Sequence, residues 1–183
     1  MSKNSKIFSK IKKISRKIDS EEVADIFLFG SAVKGKTKPR DIDVCIVFKN
    51  SINLKIVRQF SKERGAHVSS LTIKDFFRKP HPLIRTLLFE GVSLLTGKSL
   101  SQNFNLESWT MFTYNLSKMK PSDKVRFVYL LKGRGEKGFV AEINGKFLAP
   151  GCFIVPTRKD DEVIEVMNEW KINFKRQPLL LIH

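Results

Sequence analysis

The chain has 183 residues, 42% of them hydrophobic and 10% aromatic, which is enough for one good core or two small ones and too apolar for a disordered segment. Lys and Arg number 34 against 18 Asp and Glu, a formal charge of +16 that exceeds what solubility requires and favours polyanionic partners, nucleic acid first. No apolar run approaches a membrane span, the N-terminus lacks the apolar stretch of a signal peptide, and Cys45 and Cys152 lack metal-ligand spacing; the expectation is a soluble protein of a reducing cytoplasm, with two buried thiols and no membrane partner.

From about Lys6 to Ile18, the apolar residues Ile7, Phe8, Ile11, Ile14 and Ile18 recur at helical spacing, with lysines and Arg16 opposite. This predicts an amphipathic helix packed on a sheet, its basic side read as a solvated face in preference to a phosphate or lipid contact. Asp19 and Ser20 begin a turn, and Val23 to Phe29 reads as a first strand that delivers Gly30 and Ser31 to its end. Backbone N–H groups of that bend and of a short following helix can face phosphate oxygens; Gly30 permits close approach and Ser31 adds a hydroxyl donor. The loop Lys34-Gly35-Lys36-Thr37-Lys38-Pro39-Arg40 puts cations beside such a triphosphate, which makes Lys34 and Arg40 candidate nucleotide contacts. A second strand from Asp41 to Phe48 alternates with period two, so Asp41 and Asp43 share one face while Ile42 and Val44 point the other way. Carboxylates at that spacing repel unless a divalent cation lies between them, and oxygen ligands completed by water and phosphate suit Mg2+.

Phe29-Gly30-Ser31, Gly35 and Arg40-Asp41-Ile42-Asp43-Val44 together resemble the signature of the DNA polymerase beta-like nucleotidyltransferase superfamily, specifically its minimal members, in which a Gly-Ser pair is followed by Asp-x-Asp. The resemblance covers roughly the first half of the chain. It implies that Gly30 and Ser31 contact the triphosphate of ATP or another NTP and that Asp41 and Asp43 ligate Mg2+. The family pattern also has a third carboxylate on a later strand. The strand paired with that role, Ala66-His67-Val68-Ser69-Ser70-Leu71-Thr72 after a helical Leu54 to Glu63 segment, holds no Asp or Glu. His67 is the nearest substitute, as a base for the attacking hydroxyl or a weak metal ligand, while Glu63 and Asp75 flank the strand off the site.

Ile73 to Phe77 starts a helix, Pro80-His81-Pro82 interrupts it, Leu83 to Glu90 resumes helical periodicity, and Gly91 to Gly97 reads as a short closing strand. A polar stretch from Lys98 to Leu106 reads as a linker. Beyond it, Trp109 to Leu116 fits a strand or the first part of a helix; Ser122-Asp123 reads as a helix cap, with Val125, Phe127, Val128, Leu130 and Leu131 as apolar positions up to Gly133. Phe139 to Ile143, an Asn144-Gly145 turn and Lys146 to Leu148 read as a hairpin; a strand Cys152 to Val155, a helix opened by Asp160-Asp161-Glu162 and ending near Trp170, and a strand Leu179 to Ile182 complete the chain.

The fold class expected is α+β: a nucleotidyltransferase-type mixed sheet with flanking helices over residues 1–98, and a smaller α+β accessory module over 106–183. Lys124, Arg126, Lys132, Arg134 and Lys137 mark the module's candidate RNA- or DNA-contacting surface, while Trp109, Tyr114 and Tyr129 read as core in preference to base-stacking residues. The function expected is Mg2+-dependent transfer of a nucleoside monophosphate from an NTP, ATP first, to a hydroxyl of a nucleic acid or protein, with Asp41, Asp43 and His67 as catalytic residues. The family resembled includes enzymes that extend RNA ends and antitoxins that nucleotidylate a partner toxin; the positive charge favours nucleic acid, RNA over DNA, and the small size favours a protein acceptor. The alternative is a domain that has lost catalysis with its third carboxylate and serves as a nucleic-acid-binding or nucleotide-sensing module.

Overall fold

Apolar side chains on both sides of two adjacent segments, Val23–Phe29 (β1) and Ile42–Phe48 (β2), require cover on both faces of the sheet they form. The computed structural model of the chain describes residues 3–18, 21–34, 41–63, 65–78 and 82–182, and the chain divides into two compact units, Met1–Asn105 and Leu106–His183. The Asp19-Ser20 turn, the loop from Gly35 to Arg40 and the Pro80-His81 break lie outside the described residues. In the first unit β1 pairs antiparallel with β2, β2 pairs parallel with Ala66–Thr72 (β3), and the short Val92–Ser93 (β4) pairs antiparallel with β1, giving the mixed order β3-β2-β1-β4.

Helices Lys3–Ser15 (α1) and Leu54–Ser61 (α2) cover one face. There Ile11, Ile26, Leu28, Ile42, Val44, Ile46, Phe48 and Phe60 form one buried cluster, joined by Ile14, Ile56 and Val57. Helices Ile73–Arg78 (α3) and Pro82–Glu90 (α4) cover the other, where Phe27, Cys45, Val47, Leu71, Ile84 and Leu87 are buried. Burial pushes the Cys45 thiol up to about 12, so it stays protonated and inert, whereas Cys152 in the second unit is half-buried and not fully enclosed as expected.

The second unit is an antiparallel sheet in the order β6-β7-β5-β8, built from Leu106–Tyr114 (β5), Lys146–Ala149 (β6), Cys152–Pro156 (β7) and Phe174–Ile182 (β8). Helices Pro121–Lys132 (α5), Phe139–Glu142 (α6) and Asp160–Glu169 (α7) contribute to a core of Phe112, Phe127, Leu131, Val140, Phe153, Val155, Val163 and Met167. Phe112 and Phe153 stack with centroids 5.6 Å apart, and Tyr114 meets both Phe127 and Phe153 edge-on, so Tyr114 is a core residue.

Four local expectations differ from the structure. The polar stretch at 98–106 is folded: Leu100 and Ser101 are buried, Gln102 accepts a hydrogen bond from Ser99 N–H at 2.9 Å, and Ser101–Phe104 makes a 3-10 turn, so its serines and amides satisfy backbone groups of the first unit. Residues 139–143 form α6 and not a strand, because Val140 and Ile143, three apart, are the buried pair; Asn144 at φ 62° and the Gly145 N–H to Val140 carbonyl bond of 2.7 Å close that helix. The hairpin lies six residues later, where Pro150-Gly151 connects β6 to β7 and Gly151 takes φ 75°. Lys120, followed by Pro121 at the first helical position, caps α5, which leaves Ser122 and Asp123 within its first turn. The last strand begins at Phe174, five residues earlier than its apolar run, and Pro178 is accommodated because β8 is an edge strand.

Asp25, in the middle of apolar β1, was not singled out from sequence. Burial raises its carboxyl above the ordinary 3.8, against the lowering effect of hydrogen bonds from Ser93 Oγ at 2.7 Å and Ile26 N–H at 2.6 Å. An acid whose pKa rises on folding costs stability when ionised: the cost is absent below 3.8 and develops as pH climbs through the folded-state value. Asp25→Asn, which keeps an acceptor oxygen for both donors, should melt higher than the parent at pH 7 and lose that advantage below pH 3.8, as read by thermal denaturation. Equal melting temperatures throughout that range would contradict the burial cost.

Candidate active site

The β1–β2 register sets Phe29 opposite Asp43, and the parallel β2–β3 register sets His67 beside Asp43 on the same sheet face. Beyond Phe29 the chain turns at Gly30, φ 71°, into a single 3-10 turn, Gly30–Ala32, closed by the Val33 N–H on the Gly30 carbonyl at 3.2 Å. The Asp43 carboxylate lies against this turn: a Cβ placed on residue 30 would stand 2.5 Å from Asp43 Oδ2. Glycine is therefore required twice, by a backbone conformation that L side chains rarely adopt and by an oxygen where a methyl group would sit. The other oxygen, Oδ1, is 3.5 Å from His67 Nδ1, long for a hydrogen bond, with the Asp43 and His67 side chains 30% and 69% exposed.

Asp41 is half-buried immediately before β2, and Ser31 is half-buried in the turn. Ile42 and Val44, by contrast, are buried in the cluster under α1 and α2, on the opposite face from Asp43. The structure thus brings Gly30, Ser31, Asp43 and His67 to one end of the sheet, with Asp41 adjoining in the chain. Among the described residues no three His, Cys, Asp or Glu side chains group as metal ligands. Glu63 is engaged by Lys10 Nζ at 3.0 Å, and Asp75 accepts from Thr72 Oγ1 at 2.6 Å, so neither acid supplies a third carboxylate here.

Lys34 has a partner that sequence reasoning did not find. Its ammonium is 2.9 Å from Glu90 Oε1 and its side chain is 9% exposed, so its charge is engaged by the carboxylate ending α4. Fifty-six positions separate the two residues, and no local pattern signals the pairing. Arg40 lies outside the described residues. In the second unit Arg126 lies 5.8 Å over the Trp170 ring and 3.8 Å from Asp123, Lys132 lies 5.2 Å over Phe147, and Arg134 lies 5.3 Å over Tyr129. Lys124 is half-buried on α5 and Lys137 is exposed in the following loop. These five belong to the second unit and the Gly30 turn to the first, and Trp109 is only 8% exposed.

No curated protein matches the sequence. Among solved structures the chain is similar to a mutant MntA–HpeT toxin–antitoxin complex, at 15% identity over 52% of this chain and 77% of that one, with a TM-score of 0.36. It is similar also to a complex of a tri-AMPylated Shewanella oneidensis HEPN toxin with its MNT antitoxin, at 17% identity over 55% and 77% with a TM-score of 0.36. A toxin–antitoxin structure with AMP-PNP gives 19% identity over 52% and 77%, again with a TM-score of 0.36. The family model of the nucleotidyltransferase domain matches residues 9–94, the segment that carries the Gly30 turn, Asp41, Asp43 and His67, and over this segment the chain is similar to the DNA polymerase beta-like minimal nucleotidyltransferases.

Proposed function

We propose that the N-terminal unit binds a nucleoside triphosphate, ATP first, at the Gly30-Ser31 turn and transfers its nucleoside monophosphate to a hydroxyl of a nucleic acid or protein acceptor. The observation that carries this reading is the Asp43 carboxylate lying against Gly30, with Oδ2 2.5 Å from where a Cβ would be. A nucleotide whose phosphates approach the glycine backbone then meets a carboxylate at once, which is unfavourable unless a cation separates them. Asp41 and Asp43 offer only oxygen donors, and Mg2+ needs one or two carboxylates with phosphate and water completing its shell, so the residues present fit that ion. Bound there, Mg2+ would supply charge stabilisation for the oxygens entering and leaving phosphorus.

The chain's own groups have separate tasks in this reading. Gly30 lets phosphate oxygens reach the backbone, and the Ser31 hydroxyl donates to one of them. Asp43, held by the strand register, fixes where the reacting phosphorus must lie. His67 with its Nδ1 proton toward Asp43 leaves Nε2 free to take the proton of the acceptor hydroxyl, as that oxygen bonds to the α-phosphorus and the bond to pyrophosphate breaks. The 69% exposure of His67 leaves room for an acceptor.

A second reading is favoured by the same residue. Where the family pattern has a third carboxylate, β3 offers His67, and the strand has no acid from Ala66 to Thr72. A domain so built would bind nucleotide without transferring it.

Two experiments test these readings. Incubated with α-labelled ATP, Mg2+ and either total RNA or desalted cell extract, the parent should label an acceptor, and Asp43→Ala should lose at least about a hundredfold of that rate. Nucleotide binding without label transfer would establish the second reading, and undiminished transfer by Asp43→Ala would reject the assignment of this carboxylate. Gly30→Ala should destabilise the fold by about 1–3 kcal/mol and abolish nucleotide binding. In an Asp43→Ala background, where the opposing oxygen is gone, its stability cost should fall, measured by a denaturant double-mutant cycle. Additive costs would contradict the contact.

A further inference from the structure

The positive charge is unevenly divided. Residues 1–105 carry 21 Lys and Arg against 9 Asp and Glu, whereas residues 106–183 carry 13 against 9. Much of the first unit's excess lies on the helical layer remote from Asp43. Lys10 and Lys13 on α1 and Lys17 in the turn that follows are spaced i, i+3, i+7, one stripe along the helix, with Lys12 and Arg16 beside it. Lys55 and Arg58 on α2 and Lys62 at its end repeat the same spacing, and every one of these eight cations is exposed. Lys10 is ion-paired to Glu63; among the described residues the other seven have no acidic partner.

Like charges held together repel, and an uncompensated double stripe is tolerated most readily if a polyanion covers it. The chemistry of that polyanion follows from what lies between the cations. Among the described side chains of α1 and the turn after it, Ile11 is at 0% exposure and Ile14 and Ile18 pack on the same cluster, so these apolar positions are spent on the sheet and do not face a bilayer. Among the described residues, Ile52 and Leu54 around the start of α2 are the exposed large apolar residues near these cations, a small area beside the apolar centre of a protein interface. Cations with few exposed apolar neighbours suit a phosphate backbone contacted without regard to sequence.

We infer that the α1–α2 face is a docking surface for a nucleic-acid backbone, RNA in the test below. It is separate from the Gly30–Asp43 site, because α1 and α2 cover the sheet face that bears Ile42 and Val44 while Asp43 lies on the other. The inference does not rest on nucleotidyl transfer.

Fluorescence polarisation of a labelled short single-stranded RNA with the full chain tests it. The triple variant Lys13→Gln, Arg58→Gln, Lys62→Gln should weaken binding roughly tenfold or more near 0.1 M salt and lower the slope of log K against log salt by about 2. The control triple Lys118→Gln, Arg158→Gln, Lys175→Gln, which removes equal charge from exposed positions of the second unit, should stay within about twofold of the parent. Protection of Lys13 and Lys62 from acetylation by bound RNA reads the same contact on the parent, independent of any variant's folding. Absence of RNA binding, a loss confined to the control triple, or capture of phosphatidylserine vesicles through these lysines without RNA binding would each overturn it.

Discussion

The antiparallel pairing that sets Phe29 opposite Asp43 is the constraint from which the site follows. A slip of one residue would turn Asp43 toward α1 and α2, into a layer where Ile26, Ile42, Val44 and Ile46 are at most 1% exposed. From Val44 to Phe48 both faces of β2 are apolar, so hydrophobic burial alone discriminates weakly between the two registers. The strand's first residues decide. In the native register Ile42 is buried and Asp43 keeps 30% exposure, whereas a slipped register would bury an unpaired carboxylate at a cost of several kcal/mol. The residue proposed to hold the cation thereby also reports the correct alignment of the sheet.

Around that register, among the described residues, two charged side chains near the turn are engaged by other partners. Lys34 is close to Gly30 in sequence, yet Glu90 engages it, which leaves the Asp43 carboxylate without a lysine as counter-ion from that source. His67 is its neighbour instead, at 3.5 Å and largely exposed. Asp25 on the same face of β1 is tied to Ser93, four residues from Phe29, and does not join the site. The Asp43 carboxylate at the turn and the basic surface of α1 and α2 lie on opposite faces of one sheet, an arrangement in which a polyanion can be held without competing for the nucleotide's place.

The site's local parts were legible because each rests on a short pattern. Alternation along residues 42–48 put Asp43 on the face away from Ile42 and Val44, and the bounds of Val23–Phe29 and Ala66–Thr72 agree with their apolar and β-branched runs. What stayed hidden depends on distance or on the partner. Nothing near Lys34 points to Glu90, and the neighbourly relation of Asp43 and His67 exists only once β2 and β3 pair in parallel. Asn144-Gly145 misled because a residue pair that accepts positive φ serves a helix end as well as a hairpin, and the deciding signal was the three-residue spacing of Val140 and Ile143. The polar run at 98–106 looked like a linker for want of apolar periodicity, although a single buried Leu100 anchors it.

The central claim is that the Gly30 turn and the Asp41/Asp43 acids grip one cation–nucleotide complex. Mn2+ added with a non-hydrolysable ATP analogue to the isotopically labelled chain tests it directly, since the ion broadens amide resonances in proportion to their proximity. The account predicts that the signals of Gly30, Ser31, Ala32 and Asp43 disappear first, and only when nucleotide and ion are both present. Persistence of those four signals while others vanish would contradict it.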